Sequence, residues 1–196
     1  VRTNLLLQSL NGIRIDFFED LAKFITALLQ FVSKHNDISE PIHIVMSVAA
    51  IGALAKKNNA IPANAKWLPT EILEKLFGQL LEKHKQQTWG KNKKPGKDLV
   101  EMVEALKNMA EKKILSRPIS HRLLSDVCHA MYQEKNKKAM DIAQLLSFLG
   151  QLGTLQCLTG VIDSSRITEL CHDLLHFRDI ADIDIKDALK GIRQLA

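Results

Sequence analysis

Residues 83 to 97 hold six lysines, Lys83, Lys85, Lys91, Lys93, Lys94 and Lys97, with no acid among them and Trp89 in their midst. Lysines neutralise phosphates and an indole stacks on a base, so this is the composition of a contact with single-stranded nucleic acid. Lys112, Lys113, Arg117 and Arg122 follow in the next connection and extend the patch if the two loops emerge on one side. The same residues suit a solvated linker, because a charge run keeps a segment hydrated without any ligand. Gly90, Pro95 and Gly96 interrupt helical continuity, which predicts a loop from 83 to 97 that joins two helices, ordered at its edges and extended in its middle.

The second cluster with chemical potential is Cys171, His172 and His176, in which the histidines are four apart and share one face of a helix. A zinc site there needs a further ligand from Cys128 or His129. Packing explains the cysteines without one, since both stand where other copies of the same pattern carry Phe77 and Ile25, and neither a metal nor a cofactor is expected. Catalysis is not expected either. No Gly-x-Ser-x-Gly elbow surrounds any serine after residue 110, and no glycine-rich phosphate loop is present. The acid pairs Glu101 with Glu104 and Asp182 with Asp184 read as solvated faces.

These residues need a scaffold, and the composition says which kind. Of 196 residues 46% are apolar, and only 9 Gly and 5 Pro interrupt a background of Leu, Ala, Ile, Lys, Glu and Gln, all of which lose little entropy in a helix. Charge breaks the apolar runs before they reach membrane-spanning length, so no membrane insertion is expected. Three cysteines, an odd and scattered set, point to a reducing compartment and hence a cytoplasmic location, that of the producing cell or, for a secreted effector, of a host cell. The net charge of +5 is local, since the rest of the chain sums to −1 once the six lysines are set aside. From Ala139 onward the chain is mildly acidic.

The apolar pattern repeats. Leu124-Ser125-Asp126-Val127-Cys128-His129 aligns without a gap on Ile167-Thr168-Glu169-Leu170-Cys171-His172, and Met131-Tyr132 on Leu174-Leu175. Leu73, Leu76, Phe77, Leu80 and Leu81 match this face, as do Leu21, Phe24, Ile25, Leu28 and Leu29. The three-and-four spacing makes this one helix, B, of a repeated hairpin. Its partner, helix A, follows apolar-x-x-apolar-x-x-apolar-small at Val48, Ile51, Leu54, Ala55; at Val103, Leu106, Met109, Ala110; at Ala143, Leu146, Leu149, Gly150; and at Leu189, Ile192, Leu195, Ala196. Successive shifts are 55, 40 and 46 residues for helix A and 52, 51 and 43 for helix B. Trp67, ahead of one helix B, reads as a hydrophobic staple.

The expectation is an all-α chain, an α-solenoid of stacked antiparallel hairpins resembling a HEAT or armadillo superhelix. Its repeats fall at about 1–34, 38–85, 97–136 and 137–179, with a half repeat at 183–196 that makes the chain a fragment of a longer array. A compact bundle of five to eight helices is the alternative. The runs Val48-Ala49-Ala50-Ile51-Gly52-Ala53-Leu54-Ala55-Lys56-Lys57 and Ala143 to Gly153 are similar to the first helix of octotricopeptide-type repeats. Such repeats occur in FAST-kinase-like mitochondrial proteins and in large helical-repeat effectors of intracellular or plant-pathogenic bacteria. The resemblance implies a binding module, with RNA or host proteins as partner. The ten aromatics lie mostly on apolar stripes, which favours a protein-interaction scaffold over the alternative, an RNA-binding module using the basic loop.

Overall fold

The computed structural model describes residues 18–34, 66, 68–85, 95–178 and 180–195. Among them the chain is all-α: α1 (Phe18–Lys34), α2 (Thr70–Lys85), α3 (Pro95–Glu111), α4 (His121–Gln133), α5 (Ala139–Thr154), α6 (Ser164–Leu175) and α7 (Asp182–Leu195). No helix of the described residues is long and apolar enough to cross a membrane. The first helix A pattern, Val48 to Ala55, and Trp67 lie outside the described residues.

Helices pack chiefly on the helix two places along. In one row α1, α2, α4 and α6 contact each other in turn; in the other α3, α5 and α7 do; α3 with α4 and α5 with α6 cross between rows. The first row is the helix B set and the second the helix A set. Leu73, Leu76, Phe77, Leu80, Leu124, Val127, Cys128, Met131 and Leu170 are buried, so the centre of the B stripe faces inward, whereas Tyr132 and Leu175, expected on it, are 42% and 74% exposed. Phe24, expected on that stripe, is 55% exposed, while Ile25 and Leu29 beside it are fully buried.

The A row corrects the sequence register. Among the described residues Lys113 and Gln156 are the two non-glycine residues with positive φ, at 55° and 51°, and they lie 43 apart. Each ends a helix A in the same turn. Lys113 N–H donates to Ala110 O at 2.9 Å and Ile114 N–H reaches back to Met109 O at 3.3 Å, while Gln156 N–H donates to Gly153 O at 3.0 Å. With 43 as the step, Leu99, Met102, Val103, Leu106 and Met109 superpose on Ile142, Leu145, Leu146, Leu149 and Leu152, all buried. The shift of 40 slips by nearly one turn, about 60° around the helix, and still lands on apolar residues. In α7 the buried positions are Ala188 and Gly191, whereas Leu189, expected in the core, is 60% exposed.

Gly191 is buried because α5 and α7 nearly touch. A Cβ on Gly150 would collide with the Gly191 carbonyl oxygen, and one on Gly191 with the Leu146 carbonyl oxygen. At the other end of the row Gly96 abuts Asp141, whose carboxylate accepts the Lys138 N–H at 2.9 Å and caps α5.

Candidate functional site

The loop expected from 83 to 97 gives way to helix at both of its described ends. Lys83 and Lys85 belong to the last turn of α2, and the Pro95-Gly96 pair opens α3 instead of ending a helix. Proline at the first helical position loses no intrahelical bond and arrives with a helical φ, which is the physical reason for the correction. Trp89, Lys91, Lys93 and Lys94 lie outside the described residues. Lys97 is on the exposed side of α3 and pairs with Glu101 one turn on, at 3.4 Å.

The second basic group lies in the turn after α3, the loop beyond it and the first turn of α4. Lys112 and Lys113 are exposed in the turn after α3, with Lys113 in the left-handed conformation, and Arg122 is exposed in the first turn of α4. Arg117 is held by two carboxylates of α2, its Nε 2.5 Å from Glu71 and its Nη2 2.8 Å from Glu74. It therefore ties the loop to the preceding helix.

That tie belongs to a junction that recurs. Leu68 N–H donates to Ile114 O and Ser116 N–H to Leu68 O, both at 2.8 Å, a short parallel bridge between the lead-in to α2 and the loop before α4. One step on, Ile119 N–H donates to Cys157 O at 2.7 Å and Thr159 N–H to Ile119 O at 2.9 Å. The hydroxyls take equivalent parts. Thr70 N–H donates to Ser116 Oγ at 3.0 Å, and His121 N–H to Thr159 Oγ1 at 3.3 Å. Ser120 N–H reaches Glu74 Oε1 at 2.5 Å, and Asp163 N–H reaches Ser125 Oγ at 3.1 Å. The fully buried Thr70 side chain also donates to Arg117 O at 2.9 Å, which satisfies a polar group that burial would otherwise penalise. Ile114 to Tyr132 align without a gap on Cys157 to Leu175, so the Leu-Ser and Leu-Thr pairs were present in the sequence as a signal. Apolar periodicity does not register them.

The thiols are packing groups in this frame. Cys128 is fully buried on α4 and burial pushes its pKa up to about 12, so the neutral form persists at ordinary pH. Cys171, at the equivalent place on α6, is only half-buried, and burial raises its pKa too. His172 and His176 stack with ring centres 4.5 Å apart, and His176 Nδ1 lies 2.7 Å from the His172 carbonyl oxygen. Among the described residues no three His, Cys, Asp or Glu side chains converge as a metal site would require.

Beside α6 and α7 lies a cavity of about 480 Å³, lined by Leu158, Val161, Ile162, Ile167, Thr168 and Gln194 among others. The Gln194 Oε1 is buried there without a hydrogen-bond partner. Compared with known proteins, the chain matches no family model, no curated protein and no solved structure.

Proposed function

We propose that the chain is an α-solenoid segment of stacked antiparallel hairpins that acts as a protein-interaction scaffold and not as a catalyst. The observation that carries this reading is a junction seen twice: the same cap and hydroxyl-bearing loop recur 43 residues on, and the main-chain bridge and hydroxyl bond they make meet a receiving segment that recurs 51 residues on. A repeated junction fixes the spacing of successive helices, and regular spacing over a broad surface is what a scaffold offers a partner. Two of the cations on which an RNA contact would draw are already countered, Arg117 by Glu71 and Glu74 and Lys97 by Glu101.

The competing nucleic-acid reading has a direct test in salt dependence, because each phosphate neutralised by lysine adds close to one unit of slope. Single-stranded RNA is titrated between about 50 and 200 mM salt against the full chain and against a variant with Lys83, Lys85, Lys91, Lys93, Lys94 and Lys97 all changed to Ala. The scaffold reading expects no binding at low salt. Tight binding whose slope flattens in the variant would move the assignment to an RNA-binding module.

A further inference from the structure

The hairpin tips, where a helix B hands over to a helix A, carry apolar side chains that the core does not use. Tyr132, in the last turn of α4, and Met140, in the first turn of α5, flank one tip, and Met140 is 47% exposed. Helices pack on both sides of this hairpin, α2 and α3 before it and α6 and α7 after it, and still leave the two residues uncovered. Their counterparts 43 residues on, Leu175 and Ile183, are exposed as well. The acids of the α4–α5 tip are engaged within it. Lys137 Nζ donates to the carbonyls that end α4, Tyr132 O at 2.7 Å and Glu134 O at 2.8 Å, and lies 2.8 Å from the Asp173 carboxylate of α6. Glu134 accepts the Asn136 N–H at 2.9 Å and stands 3.4 Å from the His84 ring, while Asp141 is buried in the cap of α5. Lys135 and Lys138 are exposed. Two cations therefore border two exposed apolar side chains, and both acids between residues 132 and 141 are committed to the fold.

Resting on the scaffold reading, we propose that this tip is a docking surface for a protein segment in which apolar side chains are flanked by Asp or Glu. An apolar patch rimmed by charge of one sign is matched by the converse pattern, apolar residues that cover Tyr132 and Met140 and carboxylates that meet Lys135 and Lys138. Tyrosine and methionine suit the role, the ring as an anchor with little entropy to lose and the thioether as a group that adapts to the shape laid on it. The α2–α3 connection leaves from the same end of the hairpins, but its six lysines repeat the charge of the tip and do not complement it. An anionic lipid surface is a poorer match than a protein, because Asp182 and Asp184 flank the exposed Ile183 at the next tip. The bound segment accordingly places its acids over the α4–α5 tip and none over the start of α7.

The probe is a fluorescein-labelled helical peptide of alternating Glu and Leu pairs, with a Lys-and-Leu peptide as its opposite, followed by anisotropy. The acidic peptide is expected to saturate the full chain in the micromolar range and the basic one not to bind. Lys135→Glu combined with Lys138→Glu should weaken binding about tenfold, and Met140→Asp should do the same. These changes fall on exposed side chains, Met140 in a first turn where an acid is favoured, so the melting temperature is expected to hold. Arg122→Glu, about 15 Å away at the other end of α4, shifts net charge in the same direction and should leave binding intact. No binding at about 1 mM peptide, the result if the polypeptide covers the tip with another of its own segments, overturns the proposal. Equal binding of the basic peptide, or an equal loss in Arg122→Glu, does so too. Co-sedimentation with phosphatidylserine vesicles that the double variant abolishes overturns it in favour of a membrane, and self-association that Met140→Asp abolishes overturns it in favour of a second copy. Failure here leaves the scaffold reading to the RNA salt series, whose lysines include neither Lys135 nor Lys138.

Discussion

Lys113 and Gln156 occupy a conformation in which any Cβ is crowded by its own carbonyl, yet neither is glycine. Both sit at the residue where the hairpin leaves helix A, so the strain is accepted at each junction in return for a fixed exit angle. Glycine there should relieve it. Lys113→Gly and Gln156→Gly are each expected to raise unfolding free energy by about 1 kcal/mol, the typical steric cost of a side chain at positive φ less the entropy that glycine adds to the unfolded chain. Urea denaturation reads the change, and Lys112→Gly, at negative φ one residue earlier, supplies the contrast by giving no gain. A destabilised Lys113→Gly would mean that the lysine side chain holds the turn by contacts that outweigh its backbone strain. Cys128 belongs to the same scale. Its coincidence with Cys171 was legible in the sequence as register, and burial to zero exposure explains why the residue is a small apolar group in practice.

Helix contacts are set by how near two backbones come, and α5 meets α7 where only glycine fits on both sides. Gly150→Ala or Gly191→Ala forces the helices apart and is expected to cost about 1–3 kcal/mol, as overpacking does. Gly78 in α2, with open space around a built Cβ, should respond in the opposite sense, Gly78→Ala stabilising by up to about 1 kcal/mol through helix propensity. Melting curves of the three variants decide the matter, and equal losses at all three would remove the close crossing. What the sequence made legible at this scale was uneven. The B helices were readable because Leu124 to Tyr132 and Ile167 to Leu175 share apolar positions and an unusual Cys-His pair. The A helices were readable as helices and misread in register, because moving an amphipathic pattern by three residues keeps it on nearly the same face. The fixed points that settle register, Lys113 with Gln156 and Ser116 with Thr159, are neither apolar nor periodic within a helix. Of the candidate site, the lysines were visible as charge, but the pairing of Arg117 with Glu71 and Glu74 spans 46 and 43 residues and only the fold brings it about.

At the scale of the molecule, the principal contacts run between neighbours in each row, and on the proposed solenoid reading the stability of one hairpin rests on the hairpins beside it. A whole period should then be removable. Deleting Lys138 to Ile180 takes out 43 residues and joins Lys137 to Ala181, which puts α7 where α5 begins. In the shortened chain Ile185, Ala188, Leu189, Ile192 and Leu195 replace Ile142, Leu145, Leu146, Leu149 and Leu152 against α3, apolar for apolar at every position. The expected product keeps the helix content per residue of the parent in far-ultraviolet circular dichroism and unfolds in one cooperative urea transition. Its denaturant slope should fall with the surface no longer buried, and its midpoint should drop because one set of stacking contacts is lost. In a compact bundle the same deletion removes two helices from one core and leaves the remaining apolar faces without partners. A molten product that binds a hydrophobic dye, with helix content collapsed, would therefore favour the bundle over the stacked array.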